Sequence, residues 1–436
     1  MLKRKIDDFL AEWKEKTKKK CLIIEGPRQI GKTLSINSFA KKSYDDVNYL
    51  YIDFSRHPEI VRVFKRNLSV NRLYQELKIR FPHVNLVEGE SLLFFDEIQE
   101  CPEAISYLRN LTDDGRYDVI VSGGNLGALY DNMGNFPVGY VDRYQMTGLD
   151  FEEYLWANGF NEERLSYIET LYDEKEFKLS ASHDILIDYF REFMVMGGMP
   201  EVVYSYVNDR NFKKAFEIQQ NILELYRNDI LSSNTKSLGN KIIECLNAIP
   251  EQLEKDNKKF MYRFISNKGR ASMYESSVKW LIESEIVLKS SNLTEPVRPL
   301  SGHVRSDSFR LYLHDTGLLV SMLGEETQLK ILRGNVFANN SAVLENVVAI
   351  MLKNCGYNVL YHFEKNSTLE AEFIIPVGRE AVAVIVKNAD NSKSKVMKSF
   401  KTKYNMVHGL KLSQDNYLEA DGITTIPLYM SMFLNK

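Results

Sequence analysis

The sequence predicts an α/β protein built on a doubly wound parallel sheet, with further domains behind it. Three observations predict it. Short apolar runs at residues 21–25, 49–54, 91–95 and 117–122 alternate with helix-like stretches, the order that buries a parallel sheet between two layers of helices. A glycine-bounded loop joins the first run to a helix-like segment. The chain has 436 residues, more than one hydrophobic core usually accommodates, so about two to four domains are expected.

Composition narrows the class. Hydrophobic residues are 44% and charged residues 26% of the chain, which excludes collagen-like, mucin-like and wholly disordered proteins. With 56 Lys+Arg against 59 Asp+Glu the net charge is −3, so no global basic field marks a nucleic-acid binder, although a local patch could. No run approaches the roughly 18 apolar residues of a membrane span. Residues 1–20 have no apolar h-region, so no signal peptide is expected. Cys21, Cys101, Cys245 and Cys355 form no CxxC pair, which speaks against a disulfide framework or a zinc site. A soluble cytoplasmic protein is the expectation.

The first run, CLIIE, suits a buried strand, and it leads into GPRQIGKT at residues 26–33 and then LSINSFAKK. Strand, glycine loop and helix form the context in which G-x-x-x-x-G-K-[ST] is a phosphate-binding loop. Gly26, Pro27, Arg28, Gln29, Ile30 and Gly31 would wrap the phosphates with backbone N–H groups, with Leu34 flanking the site. Lys32 would reach the β- and γ-phosphates, and the Thr33 hydroxyl would hold Mg²⁺. ATP and Mg²⁺ are the expected ligands. The run at 91–95 ends in Asp96 and Glu97. An acid at that strand end supplies the Mg²⁺ carboxylate, here Asp96, and Glu97 would activate the attacking water as general base. After the run at 117–122 comes SGGN, where Asn125 or Ser122 would contact the γ-phosphate or that water. Asp53 closes another strand and receives no role.

These motifs resemble an AAA-type ATPase family of bacteria and archaea. GPRQIGKT, DEIQ and SGGNLGALY carry the resemblance, followed in order by LDFEEYLWANG, GGMPEVV and FRLYLHDTGLL. The resemblance implies the strand order 5-1-4-3-2 of a P-loop NTPase core, a helical lid, and a restriction-endonuclease-like C-terminal domain. The chain departs from the family pattern at Gly124, where a serine is common, and at Tyr140, where a basic residue is common. Arg143 is then the candidate arginine finger or γ-phosphate sensor.

The expected domains are an ATPase core at 1–148, a helical lid at 149–232, a winged-helix-like domain at 233–328 and a nuclease-like domain at 329–436. In the lid, Glu152 and Glu153 suit a helix start, and Gly197, Gly198 and Pro200 a tight break. Residues 258–290 read as helix, turn, helix, strand. Tyr274, Val278, Leu281 and Ile282 share one face, and Lys268, Arg270 and Lys279 are available to phosphates. Glu275, Glu283 and Glu285 oppose that use. The last hundred residues resemble the PD-(D/E)xK nuclease fold. Glu345 matches its helix acid, Glu372 its strand acid and Lys387 its lysine, but Ile385 stands where the second strand acid belongs. An inactive nuclease-like domain is expected. Residues 391–405 carry Lys393, Lys395, Lys398, Lys401 and Lys403 without an acid, a DNA or RNA track or the solvated face of an amphipathic helix. The partner of the ATPase is thus a protein or, alternatively, DNA or RNA bound through the C-terminal half, with no membrane and with oligomer formation open.

Overall fold

This computed structural model describes residues 1–124, 126–127, 136–175, 182–334, 341–364, 369–386, 393–420 and 422–434, without the side chains of 393–395. The chain divides into two compact units. One comprises Lys3–Thr147 with Glu283–Glu285, the other Met1–Leu2, Gly148–Ile282 and Ile286–Lys436.

The unit around Lys3–Thr147 is a five-stranded parallel sheet. Its strands are β1 (Cys21–Glu25), β2 (Tyr49–Asp53), β3 (Leu92–Asp96), β4 (Asp118–Gly123) and β5 (Val141–Gln145). Their spatial order is β2-β3-β4-β1-β5, all neighbours parallel, which is the expected 5-1-4-3-2 read from the other edge. Alternate residues feed one face, as a period of two requires. Ile23, Leu50, Ile52, Leu93, Phe95, Val119 and Val121 pack with Ile60, Val63 and Phe64 of α3 (Pro58–Phe64), Leu73 and Leu77 of α4 (Val70–Arg80), and Leu108 and Leu111 of α5 (Pro102–Asp114). Two further helices, α1 (Lys5–Lys14) and α2 (Lys32–Ser43), pack against each other. The carboxyl ends of β1 and β3, with Glu25 and Asp96, open on the crevice where parallel sheets bind ligands.

The second unit begins with helices Phe151–Ala157, Glu162–Asp173, Ser182–Met196, Pro200–Asp209 and Phe212–Ser232. Asp150 accepts from the Glu153 amide at 2.9 Å and Glu153 accepts from the Asp150 amide at 3.1 Å, a capping box that gives Glu153 the expected structural role. The break after Met196 places Gly197 at φ +71°. A helix expected before the 267–269 turn is reduced to a 3-10 turn at Tyr262–Phe264. The cause lies just upstream: the Phe260 amide donates to the Phe309 carbonyl at 2.8 Å and the two rings stack 5.9 Å apart, which holds the chain extended. Helix Ala271–Glu283 then buries Tyr274, Val278 and Leu281.

Beyond it, β6 (Val287–Leu293) pairs antiparallel with β7 (Val304–Leu313) and parallel with β8 (Leu360–Phe363), which pairs with β9 (Glu370–Ala371). One sheet therefore runs across the boundary expected at 328/329. Strand β6 presents two edges, and β8 takes the one that β7 leaves. A five-stranded mixed sheet follows, β10 (Phe373–Val377), β11 (Glu380–Val386), β12 (Gly409–Ser413), β14 (Ile423–Pro427) and β13 (Leu418–Ala420) in spatial order. Among the described residues no helix is long and apolar enough to cross a membrane. All four cysteines are free thiols.

Candidate nucleotide site

The loop after β1 takes its shape from three backbone positions that most side chains resist. Gly26 has φ +150° and Gly31 φ +93°, and Gln29 between them has φ 67°. A Cβ on Gly26 would lie 2.1 Å from the Met146 carbonyl oxygen, so only glycine lets the chain after β5 pass this close. Gly31 is the N-cap of α2, which leaves that helix's first N–H groups at the loop.

Inside the loop lies Lys32, 8% exposed. Its Nζ donates to the Gly26 carbonyl at 2.9 Å and the Pro27 carbonyl at 2.7 Å. Burial lowers its pKa to about 8, against the pull of the Glu97, Asp96 and Glu285 carboxylates. Pro27 and Ile30 are buried, while Arg28, Gln29 and Leu34 are exposed. On the neighbouring helix face, Thr33 Oγ1 donates to Asp96 Oδ2 at 2.7 Å.

Asp96 is the hub. It is 3% exposed, and besides Thr33 it accepts from Tyr51 OH at 3.2 Å, from Ser122 Oγ, and from the Glu97 amide at 3.0 Å. Strand order explains the gathering: β3 lies between β2, which carries Tyr51, and β4, which carries Ser122. A hydroxyl beside a carboxylate is the hard-oxygen pair that Mg²⁺ prefers, so Thr33 and Asp96 fit that ion. Glu97 leaves the strand at φ 52°, ψ 48°, and its carboxylate accepts from Gln99 Nε2.

The remaining candidates fall elsewhere. Arg143 sits on the edge strand β5 and pairs with Glu25 Oε1 at 2.6 Å, so it braces the strand that feeds the loop. An edge strand facing one neighbour gives that long side chain the nearest carboxylate across the ladder. Asn125 lies outside the described residues, and of the two sensor candidates Ser122 is the one placed at Asp96. Asp53 accepts from the Ser55 amide and hydroxyl at 2.9 and 2.6 Å, a local turn cap.

Sequence reasoning missed Arg4. Its guanidinium donates to the Ile30 carbonyl at 3.0 Å and the Thr147 carbonyl at 2.7 Å and is 5% exposed, so it props the phosphate loop from behind. Tyr51 was missed too. No motif marks either residue, because both act through chain segments distant in sequence.

In the second unit, the nuclease-like acids Glu345 and Glu372 have protein partners. Glu345 is 1% exposed and pairs with Lys258 and, at 3.3 Å, with Arg310, while Tyr312 OH donates to it at 3.1 Å. Glu372 accepts from the Val386 amide at 3.3 Å. Ile385 is packed in an apolar cluster with Ile374, Met397 and Phe400. Lys387 lies outside the described residues. Among the described residues no group of three or more His, Cys, Asp or Glu could hold a metal ion. In helix Lys393–Tyr404, Met397 and Phe400 are buried, Lys398 and Lys401 are exposed, and Lys403 pairs with Glu364.

Residues 18–155 match the family model described as an AAA domain, and residues 187–329 match that of a domain of unknown function, DUF8612. No curated protein matches the chain. Among solved structures, a Walker-type ATPase of Pyrococcus abyssi is 12% identical, with 74% of this chain and 96% of that one covered at a TM-score of 0.45. The RuvB Holliday junction branch migration motor of Thermotoga maritima is 12% identical over 66% of this chain and 89% of its own, TM-score 0.29. AMPPCP-bound DnaA from Aquifex aeolicus is 15% identical over 64% and 86%, TM-score 0.27. The family model and the geometry above carry the assignment of residues 18–155 as an AAA-type P-loop domain.

Proposed function

We propose that this chain, whose residues 18–155 form an AAA-type P-loop ATPase domain, binds Mg·ATP and hydrolyses it as a nucleotide-dependent switch. The observation that carries the reading is the 2.7 Å bond between Thr33 and Asp96 beside the buried Lys32. Two motifs 63 residues apart in sequence meet with the hydroxyl, carboxylate and amine that a metal-bound triphosphate needs. When phosphates enter the loop, the Lys32 amine exchanges the Gly26 and Pro27 carbonyls for phosphate oxygens, and Thr33 and Asp96 are the residues that would hold Mg²⁺. Held there, Mg²⁺ would neutralise phosphate charge. Glu97, one residue beyond the metal acid, takes the proton of the water that attacks the γ-phosphorus as the bond to the bridging oxygen breaks.

The partner on which the switch acts is a protein. In support, the helix Lys393–Tyr404 has its apolar stripe buried and one of its lysines paired with Glu364, and Glu275 is exposed on the helix Ala271–Glu283.

Two variants test the reading. Lys32→Ala is expected to weaken Mg·ATP binding at least about 100-fold by titration calorimetry, because it removes a buried charge from the phosphate site. Glu97→Gln is expected to bind ATP like the wild type and lose turnover. Wild-type affinity in Lys32→Ala refutes the site. Strong stimulation of turnover by duplex or single-stranded DNA would replace the protein partner by a nucleic acid.

A further inference from the structure

Glu97 follows β3 in the left-handed region, at φ 52° and ψ 48°, a conformation costing a non-glycine residue about 1–2 kcal/mol. The turn brings Gln99, in the 3-10 segment Ile98–Glu100, back beside it. Gln99 Nε2 donates to Glu97 Oε2. An amide turned by 180° would set oxygen against oxygen, so the bond fixes its orientation.

The other end of the same amide is unusual. Gln99 Oε1 is buried and has no hydrogen-bond partner among the described residues. An unpaired buried acceptor costs roughly 1–3 kcal/mol, so Gln99 is poorly explained as a stabilising residue. It is also closely seated. A Cβ on Gly123, the last residue of β4, would lie 2.6 Å from Gln99 Oε1 and 3.0 Å from Ile98 Cγ2. Glycine at 123 is what leaves the amide room. Strained backbone, an orphaned acceptor and a shape-fitted glycine all converge on one hydrogen bond to one carboxylate.

We propose that Gln99 is the positioning residue of Glu97. Its amide holds one carboxylate oxygen and leaves the other to receive the proton of the attacking water, and its seat against Gly123 ties that pose to the end of β4, whose Ser122 touches Asp96. The inference rests on the reading of Glu97 as general base.

The test is steady-state ATP hydrolysis in full-length protein, with the affinity for a non-hydrolysable ATP analogue measured on the same samples. Gln99→Glu keeps the size of the side chain and replaces the donor by a like charge. It and Gln99→Ala are expected to lower kcat by about 10–100-fold, the scale on which a misplaced general base costs rate. KM for ATP and analogue affinity should stay within about threefold. Gly123→Ala, which forces the amide out of its seat, is expected to give the same split. Turnover in Gln99→Glu equal to wild type overturns the proposal. So does a loss of analogue affinity matching the loss of turnover, which would mark Gln99 as merely structural. The underlying reading fails differently: Glu97→Gln would then turn over normally, or the wild type would bind ATP without hydrolysing it, and either result removes both claims.

Discussion

Lys32 shows how much a single residue of this site depends on its surroundings. With its amine held by two loop carbonyls and 8% exposed, it loses hydration, and its pKa falls from 10.5 to about 8. Two effects of opposite sign follow. Phosphate binds the charged amine, so ATP affinity should fall as pH rises through about 8. The folded state, in contrast, binds the proton less tightly than the unfolded chain between about 8 and 10.5, so this group makes the nucleotide-free fold more stable as pH rises across that window. Calorimetric titration at pH 7 and 9.5 checks the first effect, with Lys32→Arg as the control, because guanidinium stays charged. An equal drop in both proteins would assign the effect to another group. Lys32, Thr33 and Asp96 were legible because the chemistry of phosphate binding fixes residue type and spacing together. Tyr51 and Arg4 were not, since a tyrosine on β2 reaches Asp96 only through strand order, and Arg4 reaches Ile30 only because the chain before α1 returns to the loop.

Among the elements, the two motifs GGMP and HDTG turn out to be one structural device. Asp315 caps the helix Thr316–Leu323 by accepting from the Leu318 amide at 2.8 Å, and it also accepts from the Gly198 amide at 2.6 Å, just ahead of the helix Pro200–Asp209. One buried carboxylate thus serves two helix starts. The sequence showed GGMP as a break between helices and HDTG only within a stretch carrying the family resemblance, with no sign that they meet, because 117 residues separate the partners. Gly197 makes the meeting possible. Its φ is +71°, and a Cβ there would lie 2.2 Å from Asp315 Oδ1. Gly197→Ala is therefore expected to destabilise the second unit by about 2–5 kcal/mol, combining left-handed strain with overpacking, read as a lowered urea midpoint. Burial also pushes the Asp315 carboxyl up to about 6, against the backbone N–H groups that favour its charged form. The folded state thus holds that proton more tightly than the unfolded chain, and the group's contribution is largest below about 4 and lost as pH rises through 6. Urea titrations at pH 4.5 and 7 should show the wild type gaining on Asp315→Asn at the lower pH.

For the molecule as a whole, the decisive fact is where the second unit keeps its charges. Four of the five strands of the first unit's parallel sheet were legible as apolar runs, whereas the edge strand β5, VDRYQ, is only partly buried and carries no such run. The pairing of β6 with β8 across the boundary expected at 328/329 was not legible, because a strand pairing leaves no local mark. The side chains repeat the message of the backbone. Lys258 and Arg310 come from the region expected to be winged-helix-like, and Glu345 and Glu370 from the region expected to be nuclease-like. Arg310 is 1% exposed, pairs with Glu370 at 2.6 Å and lies 4.2 Å from the centre of the Tyr361 ring. The position that would supply a metal-binding acid in a nuclease-like helix is therefore filled from both sides by cations. Removing the acid leaves the buried Lys258 without its carboxylate and Arg310 with Glu370 alone, whereas removing Lys258, Arg310 and Glu345 together need not cost stability. Glu345→Gln is expected to destabilise the unit by about 3–5 kcal/mol, and the combined Lys258→Met, Arg310→Met and Glu345→Leu variant to recover most of that loss. Hydrogen exchange should show β6, β7, β8 and the helix Ser341–Asn354 losing protection together in Glu345→Gln. Protection lost from the helix and β8 alone would restore a boundary near 328/329. Stability gained by the wild type, but not by Glu345→Gln, on adding Mg²⁺ would contradict the ion network as the role of this acid.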